Sequence, residues 1–124
     1  LLTPRGLRTL VPDSPDYKRK CKGNAYQRDL ATHQGTIAVW LLQFYAAGHL
    51  DVYGKQCKSH IESIYAEFEN ALIDRCVGSI GEYYDADPPH YTRGAISQAT
   101  SVAALLWIQN ELKSLNLKSK ISIL

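Results

Sequence analysis

Three stretches of the chain are rich in apolar residues, and their patterns differ. Residues 34–47 carry Ile37, Ala38, Val39, Trp40, Leu41, Leu42, Phe44, Tyr45, Ala46 and Ala47, which leaves no polar face. A helix that is apolar all round is buried on every side, and Gly48 is a natural stop for this one. Residues 53–73 repeat apolar positions at three- and four-residue spacing: Cys57, Ile61, Ile64, Tyr65, Phe68 and Leu72. Lys55, Lys58, Glu62, Ser63, Glu67 and Glu69 fall between them, so this is a one-sided surface helix. Residues 95–111 predict a third helix, with Ile96, Ala99, Val102, Ala103, Leu105, Leu106 and Ile108 covering most of its circumference.

The segments between are different in kind. Residues 1–29 read as irregular, punctuated by Pro4, Gly6, Pro12, Pro15 and Gly23. Residues 76–93 read as a loop holding a short β-hairpin. Tyr83-Tyr84 has strand character, and residues 85–89 carry turn chemistry, with Pro88 and Pro89 forbidding helix. Residues 116–124 read as a short tail, helical or frayed. The order of buried, surface and buried helix is the alternation of an α/α barrel. Three helices cannot close such a ring, so the expectation is an all-α arc, one unit over residues 1–124. Its two buried helices, short of neighbours, would leave apolar surface exposed. The remainder of a parent chain or self-association is the expected cover.

Composition narrows the classes. Hydrophobic content of 45% with 21% charged residues describes an ordinary globular chain. No apolar run approaches the roughly 20 residues that span a bilayer, so no membrane partner is expected. A net charge of +2 selects no polyanionic partner. The basic run Lys18, Arg19, Lys20 and Lys22 reads as a solvated loop, and no nucleic acid is expected. Three cysteines, Cys21, Cys57 and Cys76, are an odd set without close spacing, which points to a reducing, cytoplasmic setting. Cys57-x-x-His60 lacks the further ligands that a structural zinc needs. No metal or cofactor is expected. The absence of methionine suggests a chain that is not complete as translated.

Candidate chemistry centres on residues 78–108, GSIGEYYDADPPHYTRGAISQATSVAALLWI, where Glu82 sits in a Gly- and aromatic-rich loop above a helix. With LLTPRGLRTLVPDSPDY at the start and RDLATHQGTIAVWLL in the middle, this stretch resembles the amylo-α-1,6-glucosidases. These are the glucosidase portion of glycogen debranching enzymes, relatives of the six-hairpin glycosidases and glucoamylases. The resemblance implies an arc of an (α/α)6 toroid from the C-terminal part of that domain. It also implies hydrolysis of α-1,6-linked glucose at the branch points of glycogen or limit dextrin.

The family's general base belongs to a Ser-Glu pair. Glu82 matches the Glu, while Gly81 replaces the Ser. Two further departures are Ile37-Ala38-Val39-Trp40, where the family often has Trp-Pro-Trp after its Gly-Thr, and Thr100, where it commonly has Trp. An inverting glycosidase needs a carboxylic acid and a carboxylate base about 6.5–9.5 Å apart. No segment resembles the family's general-acid loop, so the isolated 124 residues are expected to release no glucose. Asp85 and Asp87 read as turn-capping residues. The resemblance assigns His33, Gln34, Thr36 and Arg93 to substrate. The residues themselves leave alternatives: Thr32 or His33 as a helix cap, Arg93 as the partner of a loop acid. Gln98 reads as structural, and Trp40 and Trp107 as core side chains or sugar platforms. A non-catalytic carbohydrate-binding or interaction module, or a related glucoamylase or trehalase, are the rival readings.

Overall fold

The computed structural model describes residues 1–73, 75 and 77–121, with side chains through residue 116. The chain is mixed rather than all-α. Two short strands open it, β1 at Leu2–Thr3 and β2 at Gly6–Arg8. Helix α1 follows at Ala25–His33, then β3 at Ile37–Ala38 and α2 at Leu41–Tyr53. A 3₁₀ turn at Gly54–Cys57 leads into α3 at Lys58–Ala66, and a second 3₁₀ turn spans Ala71–Ile73. The hairpin strands β4 at Tyr83–Tyr84 and β5 at Thr92–Arg93 precede the last helix, α4 at Ala99–Ile121.

The five strands form one antiparallel sheet in the order β1-β2-β3-β4-β5. Leu7 pairs with Ala38, Ile37 with Tyr84, and Tyr84 with Thr92. This overturns the all-α toroid arc expected from the pattern. Each strand is two or three residues long, too short to display the two-residue alternation by which a strand is read. Ile37 and Ala38 are buried on both faces, so in sequence they look like a continuation of the apolar run that follows.

The helices shift for physical reasons as well. Helix α1 occupies ground that read as irregular. Its Asn24 side chain accepts the Gln27 backbone N–H, and the Gln27 side chain accepts the Asn24 N–H, a complete capping box. Only Ala31 of this helix is buried, so it carries no apolar stripe to betray it. Helix α2 starts seven residues later than expected and runs through Gly48, where a Cβ would meet only open space. The stop is Gly54, whose φ of 56° suits a residue without a side chain. Helix α4 runs to Ile121, through the start of the expected tail, whose residues 122–124 lie outside the described residues, as does Cys76.

The core lies where α2, α3 and α4 meet the sheet. Leu42 and Ala46 from α2, Ile61 and Ile64 from α3, and Leu105, Ile108 and Leu112 from α4 pack with Phe68, Ile80, Ile37, Val39 and Tyr84. The stripe read along residues 53–73 is the face that faces inward, apart from Leu72 at its end. Helices α2 and α4 are not buried all round: Phe44 is 61% exposed and Leu106 59%.

Candidate active site

The β4–β5 hairpin presents Glu82 at its open end. The Glu82 backbone N–H donates to the Ala95 carbonyl at 3.0 Å, and its Oε2 accepts the Ala95 N–H at 2.9 Å. One residue is thus gripped through both backbone and side chain. Between the two contacts lies Gly94, with φ of 68°. A Cβ there would collide with the Glu82 carboxylate, so glycine is what lets the carboxylate lie flat across the turn. The neighbouring Tyr83 hydroxyl hydrogen-bonds to Glu82. Burial first, then the Glu82 charge, holds the Tyr83 phenol above its ordinary pKa, so it stays a proton donor to the carboxylate.

Behind Glu82 the hairpin is locked by an ion pair. Arg93 donates from Nε to Asp85 Oδ1 at 3.0 Å and from Nη2 to Oδ2 at 2.6 Å. Asp85 is 1% exposed and also accepts the Cys21 backbone N–H at 3.3 Å. The hydrogen bonds to Asp85 raise the pKa of Arg93, so the guanidinium stays charged. Of the two readings of Arg93, the pairing with a loop acid is the one seen. Asp85, expected as a turn cap, is instead the buried half of this pair. Asp87 meets the turn through its backbone carbonyl, which accepts the His90 N–H at 3.1 Å, while its side chain, expected as a turn cap, accepts the Tyr17 hydroxyl at 3.4 Å. The Asp87 carboxylate lies 3.6 Å from Arg19.

The central segment contributes differently. His33 ends α1 rather than opening a helix, so neither it nor Thr32 is an N-cap; Thr32 Oγ1 donates to the Asp29 carbonyl. His33 is exposed. It stands one helical turn beyond Asp29, whose charge acts on Tyr83, so both lie on one face of α1. Gln34 is the half-buried C-cap of α1, and its carbonyl accepts the Lys18 N–H. Thr36 is fully buried. Its Oγ1 donates to the Ala31 carbonyl at 2.7 Å, and its own carbonyl accepts from Thr9 Oγ1 at 3.0 Å. The hairpin therefore brings Glu82, Tyr83, Asp85 and Arg93 together, with Cys21 close by. His33 and Gln34 stand at the end of α1, and Thr36 braces the turn that follows it.

The family model for amylo-alpha-1,6-glucosidase matches residues 1–107, from β1 into the first turns of α4. The chain belongs to that family. No curated protein matches it, and no solved structure does. Within this amylo-alpha-1,6-glucosidase domain, the departure at Gly81 has a steric cause. A Cβ at position 81 would run into the Thr92 methyl of the paired strand, so a serine has no room.

The remaining candidates fall outside the hairpin. Trp40, 42% exposed, meets Phe44 edge to face at 5.9 Å, while Trp107 packs against the core. Gln98 donates its backbone N–H to the Ile80 carbonyl. Cys57 and His60 share no ligand: the thiol donates to the Gly54 carbonyl, and the imidazole bonds the Tyr45 hydroxyl at 2.9 Å. Among the described residues no cluster of His, Cys, Asp and Glu could hold a metal, and no helix is long and apolar enough to cross a membrane. Sequence reasoning, which offers Tyr83 as a residue that positions Glu82, missed Asp85 and Gly94 as parts of this constellation. The readable signal was Asp85 and Arg93 flanking a turn, which a hairpin brings to adjacent positions.

Proposed function

We propose that this domain supplies the general base of an inverting glucosidase that hydrolyses α-1,6-linked glucose at branch points of glycogen or limit dextrin. The observation that carries the reading is the seating of Glu82, in a chain of this family. Its carboxylate is fixed by the Ala95 N–H and the Tyr83 hydroxyl, on a hairpin that Asp85 and Arg93 keep rigid. A carboxylate acts as base only when it is ionised and correctly aimed. The two donors hold the carboxylate in place, and the fixed backbone sets the aim.

In this reading Glu82 takes a proton from a water that attacks the anomeric carbon on the face opposite the leaving oxygen. His33 and Gln34 bind sugar hydroxyls at the reacting subsite. Thr36 acts through the turn it braces. Arg93 Nη1, not engaged by Asp85, is left to donate to substrate. The general acid comes from sequence beyond these residues.

The test is Glu82→Gln in the complete enzyme. It keeps the shape and removes the base, so turnover falls by about 100-fold or more while the melting temperature holds. Near-normal hydrolysis by this variant would sink the assignment. A second reading, a non-catalytic carbohydrate-binding module, is favoured by the exposed Trp40–Phe44 pair beside Gln43 and Thr100. Oligosaccharide binding lost in Trp40→Ala, with hydrolysis absent even in the complete protein, would select it.

A further inference from the structure

The basic run before α1 is sorted by its backbone contacts into two sides. Arg19 and Cys21 face the hairpin: the Arg19 carbonyl accepts the Ala86 N–H at 2.8 Å, and the Cys21 N–H reaches Asp85. Arg19 also pairs with Asp87. The residues between and beside them are left on the other side. Lys18, Lys20 and Lys22 line one open concavity together with Gly23, Gln27 and Leu30 of α1.

No carboxylate lines this concavity, and none of the three lysines has an ion pair among the described residues. Like charges placed together repel one another, and a bound anion relieves that cost. The backbone beneath them is held. Lys18 N–H bonds the Gln34 carbonyl, and Arg28 Nη1 donates to the Gly23 carbonyl at 2.6 Å, adding a further positive charge at the rim. Gln27 Oε1 is taken by the Asn24 N–H at 3.0 Å, which leaves its amide nitrogen as a donor. The start of α1 is satisfied by its own capping box, so the lysines rather than the helix end supply the attraction. The space is about 500 Å³, ample for a tetrahedral oxyanion with a substituent.

We infer that Lys18, Lys20 and Lys22 form a binding site for a phosphate monoester or orthophosphate dianion, separate from the Glu82 hairpin and independent of the glucosidase reading. Three ammonium groups match a dianion with several acceptor oxygens, each contact a charge-assisted hydrogen bond. The attraction is exposed, so it weakens as salt is raised.

Calorimetric titration of the 124-residue chain tests this with orthophosphate, glucose 6-phosphate and glucose, at low and raised salt. Both anions bind and glucose alone does not. The triple variant Lys18→Gln, Lys20→Gln, Lys22→Gln weakens anion binding about tenfold or more, as the loss of charge-assisted contacts requires. Lys55→Gln, elsewhere on the surface, leaves it unchanged. Equal affinity for the two anions identifies free phosphate as the ligand, and tighter glucose 6-phosphate identifies a phosphorylated sugar. Absence of anion binding at millimolar concentration, or equal binding by the triple variant, overturns the proposal. Loss of Glu82-dependent hydrolysis has no bearing on it.

Discussion

The β4–β5 hairpin and the outer faces of α2 and α4 are built on opposite principles. In the hairpin, Asp85 and Arg93 hold each other by two hydrogen bonds, and Glu82 is fixed from backbone and side chain at once. On the helices, Trp40, Phe44 and Leu106 are large, apolar and turned to solvent. Polar groups withdrawn from water must be matched at fixed geometry, so the hairpin is rigid by necessity. Apolar groups need only be covered, and any complementary surface serves. The first region is finished in itself, and we propose that the second waits for more chain or another copy.

The sharpest way to break this contrast is to remove one half of the ion pair. Arg93→Leu leaves Asp85 charged and buried, so stability falls by about 3–5 kcal/mol in chemical denaturation. A loss below 1 kcal/mol would mean that water reaches Asp85 and that the hairpin is not a dry lock. A smaller effect is expected at the sterically closed position 81. Gly81→Ser presses on the Thr92 methyl and costs about 1–3 kcal/mol, the usual penalty for overpacking. Adding Thr92→Ser removes that methyl and should recover most of the loss. If the double variant is no better than the single one, the collision is not the reason serine is absent.

On the open face the expectation reverses. Phe44→Ser changes unfolding stability by no more than about 0.5 kcal/mol, as for an exposed position. It lowers association and dye binding measured by sedimentation and fluorescence. A chain that stays strictly monomeric and binds no dye before substitution would contradict the open-face reading.

The legible parts of the sequence were those with enough residues to set a period. The stripe through Cys57, Ile61, Ile64 and Phe68 gave the inward face of residues 53–73, though not the break into two 3₁₀ turns and α3. Tyr83-Tyr84 and the turn after them gave the hairpin. The sheet was not legible, because Leu7 meets Ala38 and Ile37 meets Tyr84 only across long separations in sequence. Helix α1 was hidden by its polarity, although Asn24 and Gln27 stood at capping-box spacing. Glu82 was found through the family's motif and not through chemistry. Its grip by Ala95 depends on the backbone of Gly94, which spacing along the chain does not reveal.

Strand β3 pairs on one edge with β2, made before it, and on the other with β4, made much later. At about 5–20 residues per second, a ribosome needs several seconds to travel from Ile37 to Tyr84. Throughout that interval the strand has one bare edge, and Ile37, fully covered at the end, lacks its Tyr84 partner. The nascent chain is thus vulnerable to sticking at its middle until the hairpin that carries Glu82 arrives to cover it.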